Sequence, residues 1–144
     1  MQGMNLGLLI ITNQSGVGRG YFDVNRLEEI HDQLLSLLKK NGITIDGVYY
    51  CPHKPDDKCG CRKPETGLVK EAGKKLHFNT NGNFVIGDKA SDIMLGKNIQ
   101  ATTFLVQTGY GTFTEKMTGI NPDFIVNDLL EAAEIIRFEI EQSR

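Results

Sequence analysis

All three cysteines of the chain, Cys51, Cys59 and Cys61, fall with His53 in the stretch CPHKPDDKCGCRKP, which runs from Cys51 to Pro64. The spacing C-x-H-x5-C-x-C offers three thiols and an imidazole within one short loop. Such a set can close a tetrahedron around zinc as Cys3His, leaving no position for water. The ion would then be structural, pinning a loop too short and polar to hold itself. Free cysteines beside a surface histidine are one alternative. A strained Cys59–Cys61 disulfide is another, and zinc is preferred to both. Arg62 and Lys63 follow the last thiol directly. A clamped loop would hold these two cations in fixed positions, as phosphate recognition requires, whereas taken alone the pair reads as solvated surface.

Two further motifs carry oxygen chemistry. Thr12, Asn13, Gln14 and Ser15 stand after an apolar run, with Gly16, Gly18 and Gly20 behind them. Hydroxyl, amide and exposed backbone N–H groups can cradle a phosphoryl group, although this motif alone reads better as a polar turn. Asp88 follows the apolar run FVIG. A carboxylate there is costly unless paired or bound to a cation, so Asp88 suits a magnesium ligand. Asp92, four residues on, shares its helix face and can orient Lys63 or a metal-bound water. The competing reading makes Asp88 or Ser91 a helix N-cap. His31 and His77 join no constellation and read as structural or surface residues.

These motifs need elements to bring them together. Leu6–Thr12 is a continuous apolar run, which predicts a strand buried on both faces. Asp23 predicts the N-cap of a helix that carries Leu27, Ile30, Leu34, Leu37 and Leu38 and stops at Asn41-Gly42. Further strands are expected at 47–50, 84–88, 102–106 and from 124, with helices at 68–76, 91–98 and 127–141. The alternation predicts an α/β fold, a three-layer sandwich around a parallel sheet. Ligands bind beyond the carboxyl ends of such strands, where TNQSG, CRKP and GDKASD all fall. With 144 residues and no linker or repeat, one domain spanning 1–144 is expected, with a zinc loop at 51–61. Net charge is −2, which gives no reason to expect nucleic acid or membrane as a partner. The amino-terminal MQGMNLGLLII lacks a basic leader and reads as mature protein. An odd number of thiols suits a reducing cytoplasm.

Together, ITNQSGVGRGYF, YYCPHKPDDKCGCRKPETG, VIGDKASDIMLGKNIQA, LVQTGYGT and PDFIVNDLLEAAEII resemble the zinc-containing branch of the haloacid dehalogenase (HAD) superfamily of aspartate-nucleophile phosphatases. The resemblance covers nearly the whole chain. It implies a Rossmann-like HAD sandwich and a magnesium-dependent phosphomonoesterase. The implied substrate is a small phosphorylated molecule, preferably heptose bisphosphate, with histidinol phosphate as the alternative. By resemblance, Thr12 hydrogen-bonds the phosphoryl group, and Asn13, Gln14 and Ser15 lie in substrate contact. Lys63 neutralises phosphoryl charge, Arg62 grips substrate, Asp88 ligates magnesium and Lys89 adds a substrate contact. Cys51, His53, Cys59 and Cys61 match the zinc ligands.

One element of the family pattern is missing. The nucleophile and the general acid/base come from a D-x-D at the end of an upstream central strand, and the chain contains no D-x-D. It resembles a family member whose beginning is absent, through design, proteolysis or a shifted start codon. The expectation is therefore no turnover by this chain alone. The complete protein would be a monomer. Without its first strand the chain is expected to close the gap, self-associate by borrowing a strand, or be marginally stable. A zinc-stabilised domain that binds sugar phosphates or a partner protein without catalysis is the reading from another class.

Overall fold

The computed structural model describes residues 2–143 of an α/β chain. Apolar runs bounded by turn formers become five strands: β1 (Leu9–Asn13), β2 (Gly47–Cys51), β3 (Phe84–Gly87), β4 (Thr102–Val106) and β5 (Phe124–Val126). They alternate with helices α1 (Ser15–Gly18), α2 (Val24–Lys40), α3 (Gly67–Leu76), α4 (Ala90–Asn98), α5 (Gly111–Thr114) and α6 (Leu129–Gln142). The chain divides into two compact units, one from Gln2 to Leu76 and one from His77 onward.

In the first unit β1 and β2 pair in parallel, with Thr12 opposite Tyr50 and Asn13 opposite Cys51. That register sets the phosphate-type motif level with the first thiol. Helix α2 starts where its sequence says it should: the Asp23 carboxylate accepts from the Arg26 N–H at 2.8 Å. It ends at Asn41, whose side-chain amide donates to the Leu37 carbonyl. Leu27 is its buried anchor. Helix α3 packs on β2 through a face of Leu68, Val69, Ala72 and Gly73.

In the second unit β4 lies between β3 and β5, all parallel. Phe104, fully buried at the centre, stacks on Phe124 with ring centroids 4.8 Å apart and meets Phe84 at 6.2 Å. Ile93 and Leu95 of α4 and Ile136 of α6 complete this core.

Two expectations need correction. The first strand begins at Leu9 rather than Leu6, because the Leu8 N–H goes to the Asp46 carboxylate at 2.7 Å and the Leu8 carbonyl takes the Asp46 N–H at 2.8 Å. Those bonds clasp a loop instead of extending the ladder. Burial on both faces holds for β4 but not for β1 and β3, which are half-buried along their whole length. Each of these two has a single neighbour in its sheet, so one backbone edge has no strand partner among the described residues. The short helices α1 and α5 fall in stretches the periodicity leaves as loops.

Candidate functional site

Cys51 ends β2, and the loop beyond it folds back so that His53, Cys59 and Cys61 converge on it. A single 3-10 turn at Pro55–Asp57, closed by the Asp57 carboxylate on the Lys54 N–H, reverses the chain. Lys58, with φ +47°, then turns it inward. The Nδ1 of His53 lies 3.2 Å from the Sγ of Cys61 and 3.5 Å from that of Cys51. The sulfurs are 2.8 Å (Cys51–Cys61), 3.5 Å (Cys51–Cys59) and 3.6 Å (Cys59–Cys61) apart. All four donors lie within 4.8 Å of one another. Vertices of a tetrahedron with Zn–S bonds of about 2.3 Å stand about 3.8 Å apart, so the set fits zinc. No pair approaches the roughly 2.05 Å of a disulfide, and all three cysteines are free thiols. The Cys59–Cys61 bridge weighed from sequence is therefore excluded.

The three thiols do not share one electrostatic environment. Burial pushes Cys61 up to about 12, reinforced by Cys51 and Cys59 beside it, and burial likewise raises Cys51. Cys59 alone is pulled down to about 6: burial opposes this, but hydrogen bonds from the Arg62 backbone and the Cys51 thiol outweigh it. One thiolate among three is what the cluster sustains by itself, and a divalent ion lets all three ionise together.

Arg62 and Lys63 follow Cys61 directly as the chain leaves the Cys/His loop. The Arg62 guanidinium donates to the His53 carbonyl at 3.2 Å, within the loop itself. The Lys63 N–H donates to Asn13 Oδ1 at 2.9 Å while Asn13 Nδ2 donates back to the Lys63 carbonyl at 3.2 Å. The Lys63 ammonium donates to the Ile11 carbonyl at 2.7 Å, one residue before Thr12. Thr12 Oγ1 accepts from the Gln14 amide at 3.1 Å, and Ser15 opens α1. Thr12, Asn13, Gln14 and Lys63 thus meet at the carboxyl end of β1, while the Arg62 guanidinium stays on the loop at His53. Asn13, expected in substrate contact, spends its carboxamide on the Lys63 peptide.

In the second unit Asp88 follows β3. Its Oδ2 accepts from the Tyr110 N–H at 2.9 Å, and its backbone carbonyl accepts from Thr114 Oγ1 at 2.8 Å. Neither Asp88 nor Ser91 caps α4: the N-cap position belongs to Lys89, and Ser91 lies inside the helix. Asp92 is buried and accepts from the Lys89 N–H at 3.1 Å, closing the turn that presents Asp88 and Lys89. A side chain at Gly87 would overlap the Asp92 carboxylate, so glycine is required for this approach. The Lys89 ammonium sits 4.7 Å from the centre of the Tyr110 ring. Tyr110 and Thr114 were not singled out by the sequence reading. The signal for Tyr110 was the run TGYGT just beyond a strand end, where glycines mark close backbone approach, and Thr114 follows that run by two residues.

Residues 60–132, just over half of the chain, match the HAD-hydrolase-like family model. A probable D-glycero-D-manno-heptose-1,7-bisphosphate 7-phosphatase of Thermoplasma volcanium is 49% identical over 82 residues, covering 57% of this chain and 56% of that protein. The D-glycero-beta-D-manno-heptose-1,7-bisphosphate 7-phosphatase of Photorhabdus laumondii is 34% identical over 142 residues, covering 93% of this chain and 74% of its own. Among solved structures, the D,D-heptose 1,7-bisphosphate phosphatase of B. bronchiseptica, complexed with magnesium and phosphate, superposes with a TM-score of 0.87 at 33% identity. That match covers 96% of this chain and 78% of the other. The chain spans about 56–63% of the length of several curated relatives it matches.

Proposed function

Because the chain belongs to the HAD-hydrolase-like family, we propose that it carries the substrate-holding and metal-holding residues of a phosphomonoesterase for small sugar phosphates. The preferred substrate is D-glycero-D-manno-heptose 1,7-bisphosphate, attacked at its 7-phosphate. Support for that choice comes from the relatives' names and from the magnesium and phosphate held by the B. bronchiseptica enzyme.

The observation that carries the reading is Lys63, whose ammonium is drawn to the Ile11 carbonyl beside Thr12 while Asn13 grips its peptide from both sides. In the proposed reaction Thr12 hydrogen-bonds one phosphoryl oxygen and Lys63 offsets the charge on the equatorial oxygens. Arg62, Gln14, Ser15 and Lys89 hold the remainder of the substrate. Zinc on Cys51, His53, Cys59 and Cys61 keeps the loop that bears Arg62 and Lys63 rigid. Magnesium, when bound, neutralises phosphoryl charge, and Asp88 is the carboxylate this chain contributes to it. The attacking carboxylate is not among the 144 residues, since none of their aspartates forms a D-x-D. Two-step transfer, first to a carboxylate and then to water, requires that polypeptide to be supplied.

The test is phosphate release from heptose bisphosphate with magnesium. The chain alone is expected to give none, and the chain extended through a D-x-D strand is expected to turn over. K63A in the extended protein should abolish release. Turnover by the chain alone, or none by the extended protein on heptose bisphosphate or histidinol phosphate, defeats the proposal. The missing D-x-D also favours a second reading, a zinc-stabilised domain that binds sugar phosphates or a partner protein without hydrolysing anything. That reading predicts phosphate affinity indifferent to magnesium.

A further inference from the structure

The loop after β4 touches both residues presented beyond β3, and it does so through different atoms of one residue. The Tyr110 backbone N–H donates to Asp88 Oδ2 at 2.9 Å, while the Tyr110 ring faces the Lys89 ammonium at 4.7 Å. The loop is shaped for the first contact. Gly109 has φ +63°, and a Cβ there would overlap Asp88 Oδ2. Gly111 approaches the Val106 carbonyl so closely that no side chain fits. Thr114, almost fully buried, returns a hydroxyl to the Asp88 carbonyl at 2.8 Å. The ring itself has little packing role, because Tyr110 is 60% exposed. A large aromatic that stays in water while holding a cation is arranged for what the cation does next.

We propose that Tyr110 is a positioning residue with two separable duties: its N–H fixes the carboxylate of Asp88 for a divalent cation, and its ring holds the Lys89 ammonium ready for an anionic ligand. This rests on the phosphatase reading for the identity of the ligands, not for the contacts. Asp88 Oδ2 accepts from the peptide N–H, which limits rotation of the carboxylate and keeps Oδ1 outside that bond. A lysine stem has four rotatable bonds, and an exposed one samples many rotamers. Stacked on the ring, the ammonium is confined before the ligand arrives, so less entropy is lost on binding. The ring attracts the cation without neutralising it, which a carboxylate partner would do.

The duties separate by mutation. Y110A keeps the N–H and loses the ring. Y110F keeps both. G109A keeps the ring but drives a methyl against Asp88 Oδ2. Titration of this chain with inorganic phosphate, with and without magnesium, is followed by NMR of the Lys89 side-chain methylenes, which a ring face shifts upfield. Y110A should lose that shift and bind phosphate about 2- to 5-fold more weakly, the size of one exposed cation–π contact, with magnesium dependence unchanged. Y110F should match the parent in both. G109A should keep the Lys89 shift and need more magnesium for the same phosphate binding. Equal phosphate affinity in Y110A and the parent, or no Lys89 shift in the parent, overturns the proposal. A parent that shows the shift but binds no phosphate removes the phosphatase reading and leaves Tyr110's hold on Lys89 standing.

Discussion

The carboxamide of Asn13 closes a two-point hydrogen-bonded ring with the backbone of Lys63, fifty residues away in sequence: Oδ1 takes the N–H at 2.9 Å and Nδ2 reaches the carbonyl at 3.2 Å. Asn13 ends β1, and Lys63 leaves the metal loop. One amide therefore fixes where the cation emerges relative to Thr12.

Replacing Asn13 should show that dependence. N13A leaves the N–H and the carbonyl of Lys63 part-buried without their partner, at a cost of about 1–3 kcal/mol. N13D keeps the acceptor but sets a carboxylate against the Lys63 carbonyl, so it should recover little. Urea denaturation should place both midpoints below the parent's, and phosphate affinity should fall with them. An N13A protein matching the parent in both measurements would show that Lys63 is held by its other contacts alone.

The Cys3His cluster predicts one zinc per chain by elemental analysis. Structural zinc sites are worth about 10–16 kcal/mol of apparent binding energy in zinc-finger peptides. Chelation should therefore melt the 51–61 loop and lower the thermal midpoint sharply. C51S and C61S should mimic chelation, because each removes one of the four donors of the cluster. Metal-free protein with an unchanged melting curve, or zinc retained by both serine variants, contradicts the assignment.

How much of this was legible beforehand depends on how local the cause is. The α2 boundaries could be read because Asp23 and Asn41 cap it with their own side chains. The convergence of Cys51, His53, Cys59 and Cys61 could be read because their spacing is local and such a donor set is rare. Asn13 was read for its neighbours in the motif, and its bond to Lys63 was invisible because nothing in TNQSG encodes a contact fifty residues on. Tyr110 escaped for the same reason: its partner Asp88 lies across a strand and a helix. The half-burial of β1 and β3 was misread because an apolar run reports what a strand is suited to cover, not how many neighbours it has.

Helix α4 rests on its sheet through Gly96. A Cβ there would overlap the Thr103 methyl and stand 3.2 Å from Val85 Cβ. Both neighbours are β-branched and stiff at χ1, so they cannot turn aside. Overpacking costs about 1–3 kcal/mol, against a gain near 1 kcal/mol in helix propensity for alanine over glycine. G96A should lower the urea midpoint without changing phosphate affinity. A rise in the midpoint would mean that α4 shifts outward more readily than this packing allows.

Asp123 gives the fold a pH dependence at its acid end. Lys97, with its ammonium 2.6 Å away, is the main cause holding the Asp123 carboxyl down to about 2 from 3.8, and the hydroxyl and N–H of Thr103 add to it. A depressed folded-state value means that the stabilisation is complete above about 3.8 and fades as pH falls toward 2. The two contributions should separate in salt. Lys97 and Asp123 are 43% and 39% exposed, so their ion pair is screened and contributes little. Thr103 is fully buried, and its bonds to the carboxylate are not screened in that way. D123N should therefore be less stable than the parent at pH 6 in low and high salt alike, with the difference shrinking between pH 4 and pH 2. Comparing the two proteins at each pH cancels acid release of zinc, which affects both equally. A difference that vanishes in salt at pH 6 would place the Asp123 contribution in its exposed ion pair rather than in its grip on Thr103, and one that stays flat with pH would show that it does not depend on the carboxylate's charge.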